Sequence, residues 1–270
     1  MEWTYLWPCV TAFLAGIINS LAGGGTLLTF PALIAALQLQ GMKADIAAAM
    51  ANATSTIALA PASLSSAWAY RKELDAVKHW LRILAPPSLV GGVLGSLLVT
   101  WFPKQFAQMV PWLILLASIL FTLQPVVSRW LGHTATSHPS RQRVAVVVVA
   151  QFFVAVYGGY FGAGIGILML SALGLMGLSN LHEMNALKTL LAVFINGTAV
   201  VVFIVQDLRG DGSEQHPDLV HWPLALWMMA FAILGGYVGA KYGRLLPAKY
   251  VRYFVIAIGF GLTAYYLLRA

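Results

Sequence analysis

Leu21-Ala22-Gly23-Gly24-Gly25-Thr26 interrupts an apolar run that extends from Pro8 to Leu37. A glycine inside a helix costs roughly 1 kcal/mol relative to alanine, so three in succession break one. In lipid, backbone groups released by a break must find partners within the protein or in a water-filled cavity. The triplet therefore predicts a broken helix that faces something other than lipid. A helix restarting at Thr26 would turn its unpaired N–H groups and the positive end of its dipole inward, which favours an anion.

The pattern recurs. Phe161-Gly162-Ala163-Gly164-Ile165-Gly166 interrupts a second apolar run, from Val144 to Met176. Aligned with the first, Ala22 falls on Gly162, Gly24 on Gly164 and Thr26 on Gly166. Leu27-Leu28-Thr29-Phe30-Pro31-Ala32-Leu33 then matches Ile167-Leu168-Met169-Leu170-Ser171-Ala172-Leu173. One glycine break could simply let membrane helices pack closely. Two breaks at corresponding places in two halves point to a transporter site.

Composition sets the class. The 270 residues are 60% hydrophobic and only 9% charged, with mean hydropathy +0.79, whereas a soluble protein carries about 25% charged residues. The chain reads as a polytopic membrane protein whose surroundings are a lipid bilayer. Met1-Glu2-Trp3-Thr4-Tyr5 lacks the basic stretch of a cleaved signal peptide. Cys9 is the single cysteine, which excludes an internal disulfide and a CxxC redox pair. The net charge of +7 sits in short loops between apolar spans, the pattern of cytoplasmic loops rather than of a nucleic-acid binder.

Taken in order, the broken run is followed by expected spans at Ala44–Tyr70, Leu81–Trp101 and Met109–Trp130. A polar linker at 131–143 joins the halves, giving membrane repeats over 1–130 and 144–270. In the second half the broken run is followed by spans at Met184–Gln206, His221–Tyr242 and Tyr250–Leu268. Gly91-Gly92 and Gly95 form an expected close-packing face, echoed by Gly235-Gly236 and Gly239. Basic clusters around 71–82, 129–143 and 241–252 should face the cytoplasm and the acidic 207–218 loop the outside. These positions agree only if each broken run is a hairpin returning to its starting side. The expected fold is therefore all-α with two inverted repeats, each a Gly-broken helical hairpin plus three transmembrane helices. Such repeats place a site at the midplane between the halves.

The span after each hairpin opens on polar residues: Ala51-Asn52-Ala53-Thr54-Ser55 in the first half, Met184-Asn185-Ala186-Leu187-Lys188-Thr189 in the second, with Asn196 two turns on. An ionisable group within a span is a functional candidate, so Lys188 is the sharpest residue. Beside two helix N-termini it would attract a small anion. Near the start of its span it could instead snorkel to the interface. Asn52 and Asn196 could donate to oxyanion oxygens or bond neighbouring helices. His182 and Glu183 could couple transport to protons, although a carboxylate there could equally cap a helix start. Substrate contacts are expected from Gly23, Gly24, Gly25, Thr26, Asn52, Gly164, Ile165, Gly166, Lys188 and Asn196. The remaining histidines show no metal-ligand spacing, and no Walker motif, nucleophile elbow or HExxH occurs, so no metal, cofactor or catalytic residue is expected.

These residues resemble the TauE/SafE family of sulfite exporters, also called the toluene-sulfonate uptake permease family. The resemblance covers nearly the whole chain. It rests on Asn19-Ser20-Leu21-Ala22-Gly23-Gly24-Gly25 with Pro31-Ala32-Leu33, on Ala51-Asn52-Ala53-Thr54 and Trp68-Ala69-Tyr70-Arg71, and on Phe161-Gly162-Ala163-Gly164 with Asn185-Ala186-Leu187-Lys188. Ile165 departs from the family's continuing glycine run, and Ser171 from its proline. The resemblance implies movement of small sulfur oxyanions or organosulfonates across a bacterial inner membrane. The expected function is secondary transport, in the export direction, of an anion such as sulfite, sulfoacetate or a related sulfonate. An uptake permease is the alternative, and a non-catalytic membrane assembly factor a more distant one. An intramembrane lipid-phosphate enzyme would need a carboxylate or histidine dyad within spans, which the chain lacks.

Overall fold

The computed structural model describes residues 2–21, 24–131, 140–175, 181–210, 218–242 and 248–269. The elements are helices throughout these residues: α1 Glu2–Leu21, α2 Thr26–Leu39, α3 Ala44–Ala69, α4 Leu74–Trp101, α5 Pro103–Leu131, α6 Arg141–Tyr160, α7 Ile165–Leu175, α8 Leu181–Asp207, α9 Trp222–Tyr242 and α10 Ala248–Arg269. Both glycine stretches break the helix, and α2 restarts at Thr26. The aligned pair Gly24 and Gly164 adopt the same left-handed conformation, with φ +96° and +81°, a region that costs other residues a Cβ clash. Ile165 therefore leaves the second break intact, because the left-handed turn falls on Gly164 and the helix begins immediately after it.

Each broken run has a long arm and a short one. The 20 residues of α1 and of α6 extend about 30 Å, but the 14 of α2 and 11 of α7 only about 21 and 16 Å. Crossing the hydrocarbon core takes about 30 Å, so neither short arm crosses it alone. Among the described residues, five helices are long and apolar enough to cross: Asp75–Trp101, Pro103–Val127, Arg141–Tyr160, Glu183–Asp207 and Trp222–Gly239.

α3 is the central helix. It has the length to span, yet it is not among those five. Ala47 through Ser55 are all buried, and α3 packs against α1, α2, α5, α8 and α9. A helix enclosed by others needs no lipid face, so alanine, serine and threonine replace the large apolar residues. The outer helices show the opposite pattern. Val90, Leu94 and Leu98 on α4, and Trp112, Leu116, Ile119 and Leu123 on α5, are exposed at helical spacing, which suits a surface bathed in lipid.

Packing is exchanged between the halves. α1 lies along α9 and α6 along α4, while α3 meets α8 and α5 meets α10. The glycine faces make the first two contacts. A Cβ on Gly235 would overlap the Phe13 carbonyl of α1, and one on Gly95 the Val156 carbonyl of α6. Of the linker at 131–143, residues 132–139 lie outside the described residues, as do 211–217 of the acidic loop and 243–247 of the last basic cluster. Asp207 holds the described end of that acidic loop. Its Oδ1 accepts from the Leu219 and Val220 N–H groups, both at 2.8 Å, and its Oδ2 from Trp222 Nε1 at 2.7 Å.

Candidate anion site

The first break is largely self-satisfied. Gly25 N–H donates to Asn19 Oδ1 at 2.8 Å, so the last turn of α1 caps the first turn of α2. The Leu27, Leu28 and Thr29 N–H groups donate to the Gly24 and Gly25 carbonyls at 3.0–3.2 Å. Thr26 opens the helix half-buried. Gly23 lies outside the described residues.

The second break has no counterpart of the Asn19 cap, because the residue aligned with Asn19 is Gly159. The released groups on its other side are satisfied. Phe161 and Gly162 donate to the Tyr157 carbonyl at 2.9 and 3.3 Å, and the Tyr157 hydroxyl donates to the Ala163 carbonyl at 2.7 Å. At the start of α7 the Ile167 N–H donates to the Gly164 carbonyl at 3.0 Å, as Leu27 does to Gly24 in the first half. The Ile165 and Gly166 N–H groups ahead of it have no carbonyl four residues back within the helix. Lys188 reaches this end. Its stem crosses Gly166, where a Cβ would stand 3.2 Å from Lys188 Cδ, and its Nζ donates to Asn185 Oδ1 at 3.1 Å. The side chain thus runs along the start of α7, half-buried.

The two breaks meet. Neighbouring residues of α5 touch both: Phe121 lies on Gly24, and Leu120 with Ala117 on Gly164. Phe30 of α2 packs edge-on against Phe161 of the second break, ring centroids 5.3 Å apart, and Phe106 stands between Phe30 and Tyr160 at 6.0 and 5.0 Å. Asn52 of α3, 1% exposed, donates from Nδ2 to the Tyr160 carbonyl at 3.1 Å. Thr29 Oγ1 and Ser55 Oγ, both fully buried, are 2.6 Å apart. The result is an apolar, aromatic junction with a few placed polar groups, the usual make-up of a small-ligand site.

Gly24, Gly25, Thr26, Asn52, Gly164, Ile165, Gly166 and Lys188 all belong to this junction or its helix ends. Asn196 is half-buried two turns beyond Lys188, and no contact among the described residues ties it to a break. Glu183 is half-buried in the first turn of α8, while the side chain of His182 lies outside the described residues. Thr54 faces α9, accepting from the His221 N–H at 3.0 Å, and Thr189 back-bonds to the Asn185 carbonyl at 2.7 Å.

Among the residues of the junction with no role in the sequence reading are Asn19, Thr29, Phe121 and Tyr157. Asn19 had a signal, an amide six residues before Gly25 at the end of an apolar helix. Phe121 had none, since one aromatic in a lipid-facing span looks like any other.

A match to the model of the family described as "Sulfite exporter TauE/SafE" extends over residues 9–266. The chain belongs to the TauE/SafE family. Relatives at similar distance carry matching names. A "Probable membrane transporter protein" of Haemophilus influenzae is 26% identical over 95% of this chain and 91% of its own length. The "Probable membrane transporter protein ORF9" of a Sinorhizobium species is 28% identical over 94% and 88%. The "Probable membrane transporter protein YfcA" of Escherichia coli K12 is 28% identical over 88% and 79%. No solved structure matches the chain. This TauE/SafE member is a multi-pass inner-membrane transporter and not an enzyme.

Proposed function

We propose that this TauE/SafE protein is a secondary transporter that exports a small sulfur-containing anion, such as sulfite or an organosulfonate, and binds it where the two helix breaks meet. The observation that carries the reading is the position of Lys188 along the start of α7. An ammonium and a helix N-terminus both favour negative charge, and in a low-dielectric junction their attraction is strong. Asn52, bonded to the Tyr160 carbonyl at the end of α6, and the start of α2 at Thr26 bring further donors to the junction. Phe30, Phe121 and Phe161 exclude water, which favours an anion able to use several fixed donors at once. The exchange of packing partners, α1 with α9 and α6 with α4, supports two symmetry-related halves around this junction, and the charge pattern of the loops favours an inverted relation between them. In that arrangement rocking one half against the other opens the same site to alternate sides.

Titration of purified protein with sulfite, sulfoacetate, taurine and sulfate tests the proposal. Saturable binding of sulfite or a sulfonate, displaced by its own analogues and weakened by Lys188→Met, is expected. Absence of binding by the entire panel would remove the sulfur anion from the account.

A further inference from the structure

Asn52 carries an atom that anion binding does not use. Its side chain is buried, and the bond from Nδ2 to the Tyr160 carbonyl fixes which end of the amide is oxygen. That oxygen, Oδ1, is buried and has no hydrogen-bond partner within the protein. A buried acceptor left unpaired is costly and calls for a donor or a cation. A fully deprotonated oxyanion supplies neither.

The surroundings are rich in neutral oxygens. Tyr160 contributes the terminal carbonyl of α6, at the negative end of that helix. Ser55 stands one turn from Asn52 on the same face of α3. Its Oγ pairs with Thr29 Oγ1 at 2.6 Å, and Thr29 Oγ1 in turn donates to the Gly25 carbonyl at 3.4 Å. That order leaves lone pairs on both hydroxyls.

The second half shows what fits such an amide oxygen. Asn52-Ala53-Thr54-Ser55-Thr56 aligns with Asn185-Ala186-Leu187-Lys188-Thr189. Asn185 Oδ1 accepts from the Lys188 ammonium at 3.1 Å. In the first half the residue at the place of Lys188 is Ser55, which brings no charge.

We propose that Asn52 Oδ1 is a ligand of a small monovalent cation, of which sodium is the probe, bound in the first half where the second half carries its own ammonium. Neutral oxygen ligands suit a hard monovalent ion, and the lack of a carboxylate argues against a divalent one. Breaks in transporter helices are a recurrent place for such ions, their carbonyl ends facing the cation. The cation adds positive charge to the anion site and couples the two fluxes. Whether the ion binds is independent of the sulfur-anion reading; only its role in coupling rests on secondary transport.

The test is a thermal titration of the purified protein without anion substrate, in sodium chloride against choline chloride at equal ionic strength. Sodium is expected to raise Tm by about 2–4 °C. Asn52→Ala is expected to abolish the shift and Asn52→Asp to retain it. In proteoliposomes, replacing sodium by choline is expected to slow anion movement about tenfold. Identical Tm values in the two salts for the wild-type protein would overturn the proposal, whatever the variants do. Such a result would leave anion transport, measured separately in choline, standing. Anion binding that strengthens as pH falls and ignores sodium would also overturn it, because Oδ1 would then accept from a protonated anion.

Discussion

Replacing Lys188 separates charge from packing. Its stem covers Gly166 at the start of α7, so Lys188→Ala removes both an ammonium and a contact. Lys188→Met keeps an unbranched chain of similar length across Gly166 and removes only the charge. A hydrogen bond to a charged group contributes roughly 1.5–3 kcal/mol, and about 1.4 kcal/mol is tenfold in affinity. Both variants should therefore lose about 10- to 100-fold in affinity for sulfite, with Lys188→Met the more stable. Lys188→Arg should also bind weakly, because the broad guanidinium does not replace a compact ammonium against Gly166. Folding should survive, since removing a charge from a span lowers its insertion cost. The assay is anion affinity and Tm on the same preparations. A well-folded Lys188→Met protein with unchanged affinity would refute the reasoning and leave Lys188 a packing residue.

Other outcomes follow from particular contacts. Gly24→Ala and Gly41→Ala both place a Cβ at positive φ, but Phe121 overlaps the first while nothing lies within 4 Å of the second; Gly41→Ala should lose about 1–2 kcal/mol and Gly24→Ala clearly more in thermal unfolding. Asn19→Ala should destabilise by about 0.5–2 kcal/mol, the usual range for a lost helix cap, and equal Tm values would show that the Gly25 N–H finds another acceptor. Asp207→Ala frees three donors at once and should lower Tm more than Asn19→Ala. In a Cys9-free background, a cysteine in the 207–218 loop should react with an impermeant reagent from the periplasmic side; labelling only from the cytoplasm would reject the inverted arrangement.

Much of the fold was legible because glycine carries positional meaning in a membrane helix. Gly24 and Gly164 could be aligned from sequence, and both take the left-handed turn. Gly95 and Gly235 could be read as close-packing positions, and both let helices touch. Their partners were not legible, since a glycine says that a backbone comes near without saying which one. α3 was the least transparent helix. Its alanines and hydroxyls resemble a weak span, and only its enclosure by five other helices explains them. In the junction, Lys188 was readable because a charge in a span demands a reason. Phe121 was not, because apolar side chains serve lipid and core alike. The orientation of the Asn52 amide needed the Tyr160 carbonyl, which is 108 residues away in sequence.

Counterflow in proteoliposomes tests the central claim most directly. Vesicles holding purified protein are loaded with unlabelled sulfite and diluted into a trace of labelled sulfite, with no other gradient supplied. The account predicts transient accumulation of label above equilibrium, abolished in Lys188→Met and in protein-free vesicles. Equal label in protein-containing and protein-free vesicles, repeated with sulfoacetate and other sulfonates as the loaded anion, would contradict it.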